Sequence, residues 1–270
     1  MRKWVTDKTD TIILAVGIPL SIFIGLIFGN FIASDVGSEN AGSNPAPAHI
    51  SRDFTDTVQN TIGSVVHIFN NTGGWQGSGV AIRPDLIVTA RHVVEGGEDF
   101  TITDNKGKQY QASRAISSKE YDVGFIKLAD PNLVPAEFGS IKDCKLGQQI
   151  YAVGSPYGKM NFNSVTLGII SGLGRNWDMI DPYTGERYGW EVAFTASSPG
   201  HPGNSGCPVF TMDGKVRGIL VGGFSPVLIC VMPCDLFLSD IDQIDLMFTL
   251  DEYYKEEAPE VDWAAEAWGY

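Results

Sequence analysis

Clustered positive charge is missing from this chain: 19 Lys and Arg stand against 32 Asp and Glu, a formal net charge of −13 at pH 7. Nucleic acid is thereby excluded as a partner, because a phosphate backbone is bound by gathered Lys and Arg. Cysteine is sparse, four residues in 270, and the paired short spacings of a zinc site are absent. Cys230 and Cys234 have one acid downstream and no histidine beside them, so no metal is expected, and no segment calls for a cofactor. Disulfide pairing is left open by the spacing. The composition also lacks the marks of disorder, since 43% of residues are hydrophobic and 11% aromatic, ordinary values for a packed core.

One further absence is local. No Lys or Arg occurs between Lys8 and Arg52, and within that interval Thr11 to Ser34 are 24 consecutive uncharged residues rich in Ile, Leu, Phe and Gly. As a helix they would reach ~36 Å, against a hydrocarbon core of ~30 Å. A transmembrane helix is expected over 11–33. Arg2, Lys3 and Lys8 precede it, so the positive-inside rule puts residues 1–10 in the cytoplasm and everything after the span on the far side, periplasmic or extracellular. A cleaved signal peptide fits less well, because no A-x-A site follows.

Residues 34–50, rich in Ser, Gly, Asn, Pro and Ala, read as a flexible linker. A folded domain is expected over 51–248. Asp53 to Ile62 has an amphipathic helical pattern, and after it come short runs of Val, Ile, Thr and Phe broken by Gly, Pro, Asn and Asp. These predict strands near 64–69, 78–82, 86–90, 100–103, 109–115 and 123–128, then 149–153, 164–173, 190–195, 208–211, 216–221 and 228–231. The two sets of six suggest an all-β protein of two packed antiparallel barrels, about 60–130 and 145–235, joined through residues 129–148. Asp235 to Phe248 has helical spacing at Leu238, Ile241, Ile244 and Met247 or Phe248, and this helix is expected to pack on the second barrel. Residues 249–270 form an acidic tail with Trp263 and Trp268, read as solvated or loosely docked.

The chemistry is concentrated in three places. Gly203-Asn204-Ser205-Gly206-Cys207-Pro208 sets a serine between small residues; Val88-Thr89-Ala90-Arg91-His92 ends an apolar run on a histidine; Tyr121-Asp122-Val123 puts an acid just before a strand. Serine hydrolysis needs a nucleophile, a base to take its proton, an acid to hold that base, and N–H groups aimed at the oxyanion. His92, Asp122 and Ser205 supply the side chains. The first two lie in one strand set and the third in the other, so a shared site would occupy the cleft between barrels.

These stretches, with Gly77-Ser78-Gly79-Val80, Ala152-Val153-Gly154-Ser155-Pro156-Tyr157-Gly158 and Val165 to Ser171, resemble the trypsin-like serine proteases of the HtrA (Deg) group from about Phe54 to Ile244. The resemblance implies a chymotrypsin-like double β-barrel endopeptidase that works outside the cytoplasm on unfolded or exposed polypeptide. It implies Ser205 as nucleophile, His92 as general base and acid, and Asp122 as the orienter of His92. It also implies an oxyanion hole from the N–H groups of Gly203 and Ser205, with that of Asn204 close by, and a homotrimer built through N-terminal segments. Pro199 falls where related enzymes place the floor of the specificity pocket, with Val221 and Gly222 along its wall, and the absence of an acid there points to a small or medium apolar residue before the scissile bond. Asn204 stands where activated digestive proteases pair an aspartate with a freed N-terminus, so loop ordering is expected to control the site. Two departures stand out: Cys207 replaces the usual glycine, and only 26 residues follow Ile244, too few for the PDZ domain that many relatives carry. His201 reads as a rim residue and His67 as a surface or satisfied histidine. The alternative function is a catalytically silent, membrane-anchored binding protein on a protease fold.

Overall fold

A computed structural model describes residues 53–118, 121–130, 132–180 and 187–257, without the side chains of 176–192, 240 and 250–257. The expected span over 11–33, the linker over 34–50 and the end of the acidic tail lie outside the described residues. Among the described residues no helix is long and apolar enough to cross a membrane.

Helix α1 (Phe54–Thr61) opens on Asp53, whose carboxylate accepts the Thr55 N–H at 3.1 Å, relieving one of the unpaired donors of a first turn. A short 3-10 turn leads into strand β1 (Val65–Asn70), followed by β2 (Trp75–Arg83), β3 (Leu86–Thr89), β4 (Phe100–Thr103), β5 (Gln109–Ala112), β6 (Arg114–Ser117) and β7 (Gly124–Lys127). A single turn of helix α2 (Arg91–Val94) follows β3. The sheet order is β5-β4-β1-β2-β3-β7-β6. Its two edge strands, β5 and β6, are consecutive in sequence and separated only by Ser113, so the sheet closes on itself. The run predicted as one strand over 109–115 is therefore a bent one: its first half pairs with β4 and its second with β7. Bending lets one stave serve both edges, and closure leaves no free edge.

The second sheet comprises β8 (Glu137–Phe138), β9 (Gln149–Gly154), β10 (Ser164–Ile180), β11 (Arg187–Ser197), β12 (Pro208–Thr211), β13 (Lys215–Ser225) and β14 (Leu228–Pro233). Its order is β12-β9-β10-β11-β14-β13-β8, and β12 also pairs with β13, which closes a six-stranded ring. Strand β8 lies inside the segment predicted as a crossing linker and pairs with β13 in parallel; two residues are too short a run for a hydrophobic pattern to reveal. The β10 and β11 strands run well past the predicted 164–173 and 190–195, pairing as far as Ile180 with Arg187.

Strand periodicity explains how the barrels adhere. On β9, Ile150 and Ala152 join the core inside the second barrel, whereas Tyr151 and Val153 join the larger core that contains the first barrel. On β14 the division repeats, with Ile229 and Val231 on one side and Cys230 and Met232 on the other. Because successive side chains point to opposite faces, a strand buried on both sides must be apolar throughout. Those two strands read accordingly. Tyr151 also stacks on Phe210 at 4.9 Å and bonds the Thr61 hydroxyl at 2.8 Å, docking α1 onto the second barrel.

Helix α3 (Ile241–Glu257) corrects one expectation: it packs on the first barrel, not the second. Asp245 receives Arg83 of β2 at 2.6 and 2.7 Å and Lys127 of β7 at 3.1 Å, while Arg114 of β6 donates to the Phe248 carbonyl. Ile244 and Phe248 are buried there, and Met247 is exposed. Apolar spacing alone cannot choose between two barrels; the three cations of the first barrel make the choice. The helix also starts later than predicted, after two 3-10 turns, Cys234–Leu236 and Leu238–Asp240.

Candidate active site

Strand β3 delivers four buried residues, Leu86 to Thr89, to the barrel core, and the chain turns at Ala90 into α2. His92 therefore emerges at the barrel rim with its side chain 45% exposed, while Asp122, just ahead of β7, is buried at 5%. Pairing of Thr89 with Gly124 brings the two segments side by side. Asp122 uses both carboxylate oxygens on one residue. Oδ1 accepts the His92 backbone N–H at 3.1 Å, and Oδ2 lies 2.8 Å from Nδ1. A carboxylate can only accept, so the ring proton sits on Nδ1 and the Nε2 lone pair faces outward, the tautomer of a general base. Gly124 is glycine for packing reasons: a Cβ there would come within 2.5 Å of Val94.

The serine arrives from the other barrel. Its loop, 198–207, lies between β11 and β12, and Gly203 has φ +95°, a conformation that L side chains rarely adopt. The Pro202 carbonyl accepts the Tyr157 N–H at 2.7 Å. Because the Pro202–Gly203 peptide is trans, its N–H points away from Tyr157, to the opposite side. Among the described residues neither the Gly203 N–H nor the Ser205 N–H has a backbone acceptor; both are available donors. The Asn204 N–H is committed to the His201 carbonyl at 2.9 Å, which leaves two oxyanion donors rather than three. Ser205 itself is anchored to the first barrel, its carbonyl accepting the Ser78 N–H at 2.8 Å. A Cβ built on Gly77 would touch both Val93 and the Ser205 carbonyl within 3.0 Å, so the serine lies against the turn that carries His92. Among the described residues no hydrogen bond joins the Ser205 hydroxyl to His92; such contacts commonly tighten only with substrate in place.

Around this centre, Pro199 is exposed, Gly222 is half-buried, and Val221, 6% exposed, belongs to the larger core. The Gly200 N–H donates to the Pro226 carbonyl at 2.9 Å, drawing the 199–200 segment against the β13–β14 turn. His201 is half-buried and stacks on Tyr157 at 5.3 Å, with 3.2 Å between Nδ1 and the Tyr157 hydroxyl. Of the two readings of His67, surface or satisfied, the first fails and the second holds at one nitrogen: it is 2% exposed, with Nε2 3.1 Å from Gln76 Oε1 and Nδ1 without a partner; burial pulls its pKa below the usual value. All four cysteines are buried free thiols. Burial pushes the Cys207, Cys230 and Cys234 thiols up to about 12, the opposite of an activated nucleophile. Among the described residues no three His, Cys, Asp or Glu side chains gather to hold a metal ion. Sequence reasoning gave no role to Ser78 or to the Ser155–Gly158 loop, although both sit in glycine-bearing motifs that it had singled out.

Comparison with known proteins gives the family and the fold. The family model of the trypsin-like peptidase domain matches residues 77–219. A probable periplasmic serine endoprotease, DegP-like, from Halomonas elongata is 34% identical over 177 residues, covering 62% of this chain and 35% of its own. The serine protease Do-like HtrA of Bacillus subtilis is 32% identical over 154 residues, covering 55% of this chain and 34% of its own. This chain thus spans about a third of the length of these curated relatives. Among solved structures, the HtrA-type protease AlgW with a tripeptide superposes with TM-score 0.63 at 23% identity, covering 71% of this chain and 63% of that one. The serine endoprotease from Yersinia pestis gives TM-score 0.60 at 22% identity, covering 71% and 66%. At such identities the likeness is one of fold.

Proposed function

The chain belongs to the trypsin-like peptidase family, and from that premise we propose that it is an HtrA-type serine endopeptidase acting through Ser205, His92 and Asp122. The observation that carries the reading is the double hold of Asp122 on His92, 2.8 Å at Nδ1 and 3.1 Å at the backbone N–H. Nε2 takes the Ser205 hydroxyl proton as Oγ attacks the scissile carbonyl carbon. The carbonyl oxygen gains the negative charge and receives the N–H groups of Gly203 and Ser205. His92 then gives its proton to the leaving amine, the peptide bond breaks, and Ser205 is left acylated; water, deprotonated by the same Nε2, releases the acid and restores the serine. Pro199, Val221 and Gly222 shape the specificity pocket for a small or medium apolar residue. An uncleaved anchor over 11–33 holds the domain outside the cytoplasm, where unfolded or exposed polypeptide is its substrate; the charge asymmetry around that segment and the word periplasmic in the names of relatives support this part.

A fluorophosphonate probe tests the reading. Ser205 of the 270-residue chain is expected to be labelled, and Ser205→Ala is not. Absence of labelling in detergent and with unfolded casein present would sink it in favour of a silent binding protein.

A further inference from the structure

Ser78, on β2 of the first barrel, is fully buried and spends every polar group it has on the site. Its N–H donates to the Ser205 carbonyl at 2.8 Å. Its hydroxyl donates to the Gly203 carbonyl at 2.8 Å and accepts the Ser155 N–H at 3.0 Å. Its own carbonyl accepts the Thr89 hydroxyl at 2.7 Å, one residue before the turn into α2. A hydroxyl has one proton and two lone pairs, so the two hydroxyl bonds define where Oγ must sit. The space is also guarded: a Cβ on Gly154 would lie 3.2 Å from Ser78 Oγ and 2.7 Å from Asn204 Oδ1.

The peptide planes explain why these bonds matter. The Gly203 and Ser205 N–H groups belong to the 202–203 and 204–205 peptides. The carbonyls that Ser78 grips belong to the 203–204 and 205–206 peptides, which flank the one presenting the Ser205 N–H on both sides. Rotation of a flanking plane turns its neighbour, since only φ and ψ separate them. We propose that Ser78 is a positioning residue of the oxyanion hole: across the cleft between barrels its hydroxyl fixes the 203–204 plane that joins the two N–H groups, beside the bonds that Tyr157 makes to the Pro202 carbonyl and Cys207 to the Asn204 carbonyl. Without that hydroxyl the Gly203 carbonyl and the Ser155 N–H lose their partner in a buried place, and the 203–204 plane is held at one end only, by the Asn204 N–H bond to the His201 carbonyl. The role rests on the endopeptidase reading above.

The test uses the 270-residue chain, rhodamine fluorophosphonate as probe, and three proteins: parent, Ser78→Ala and Ser78→Cys. Phosphonylation of Ser205 puts charge on an oxygen in the same hole, so the maximal rate of inactivation reports the hole, while the probe concentration at half-maximal rate reports ordinary binding. For Ser78→Ala the maximal rate is expected to fall about 10- to 100-fold, with the half-maximal concentration within about twofold; loss of a whole donor costs about 10²- to 10³-fold, and misdirection costs less. Ser78→Cys, a near-isostere with a weak donor, falls between. A merely structural residue behaves differently, lowering the fraction of protein that labels and leaving the rate per labelled molecule unchanged. A parent-like rate in folded Ser78→Ala overturns the proposal. If Ser78→Ala does not fold, Ser78→Cys decides, and a parent-like rate there overturns it equally. An unlabelled parent overturns the endopeptidase reading and this role together, whereas a labelled parent with unaffected variants overturns this role alone.

Discussion

The two barrels contribute to the candidate site in different currencies. The first offers side chains, His92 and Asp122, held by a carboxylate that contacts ring and backbone at once. The second offers the Ser205 hydroxyl and, around it, backbone: the N–H groups of Gly203 and Ser205, in a loop held by bonds to its carbonyls from Tyr157 and Ser78. A side chain announces its chemistry by its identity. A backbone N–H is common to every residue but proline, and only its direction makes it special. The first barrel's half of the site should therefore fail only through substitution of the acting groups, and the second's through loss of Ser205 or through anything that turns a peptide plane around it.

Substitutions in the first half should have the largest effects. His92→Ala is expected to lower kcat by about 10⁴- to 10⁶-fold with the fold retained, measured on a peptide cut by the parent. Asp122→Asn is expected to lower it about 10⁴-fold, because the amide favours the wrong ring tautomer; a loss below tenfold would separate Asp122 from His92 in function. Next comes the second half. Gly203→Ala would set a Cβ 2.3 Å from the Ser155 carbonyl at φ +95°, and the loop must move. A fall in kcat of about 10²- to 10³-fold is expected, together with about 1–3 kcal/mol of lost stability from the strained residue. If Gly203→Ala matched the parent in kcat, the contrast between the halves would collapse.

Smaller effects belong to the walls. Arg83 holds the Asp245 carboxyl below the usual carboxylate range, with Lys127 assisting against the cost of burial. Since the folded pKa is depressed, the stabilisation is complete above the unfolded value of about 4 and fades as pH falls below it. The Asp245 side chain is 36% exposed, so Asp245→Ala should lower stability at pH 7 by under about 1 kcal/mol. That difference shrinks in high salt and on acidification below pH ~4; a difference that grew with acid would reverse the assignment. Every cysteine lies in the second half of the chain, unbridged. Dithiothreitol should leave Tm unchanged, and iodoacetamide should modify these thiols only after unfolding. A drop in Tm on reduction would put a disulfide where the structure has thiols.

Most strands were legible because barrel staves carry short β-branched runs with turn residues between them. The failures have particular causes. Residues 109–115 read as one strand because nothing at Ser113 marks a bend; the bend follows from the need to pair with β4 and β7 in turn. The α3 helix was placed on the wrong barrel because Ile244 and Phe248 would suit either, and only Arg83, Lys127 and Arg114 distinguish them. For His67 the sequence left surface and satisfied both open, because only the fold brings Gln76 and Phe162 over it. Ser78 sat in view within Gly77-Ser78-Gly79, but a serine between glycines is no signal until its partners at 155, 203 and 205 come near.

By itself the sequence determined which chemical groups this protein owns: an imidazole at a strand end, a carboxylate before a strand, a serine among glycines, and a formal net charge of −13. Residue identity and local spacing carry that information, since a group's chemistry resides in its own atoms. Tertiary structure alone decided how those groups meet. Asp122 reaches His92 because β3 pairs with β7, and the loop that presents the two N–H groups is held at Pro202, Gly203 and Ser205 by Tyr157 and Ser78, residues far away in sequence. Direction and proximity arise from contacts between distant segments, and no stretch of sequence contains both ends of such a contact.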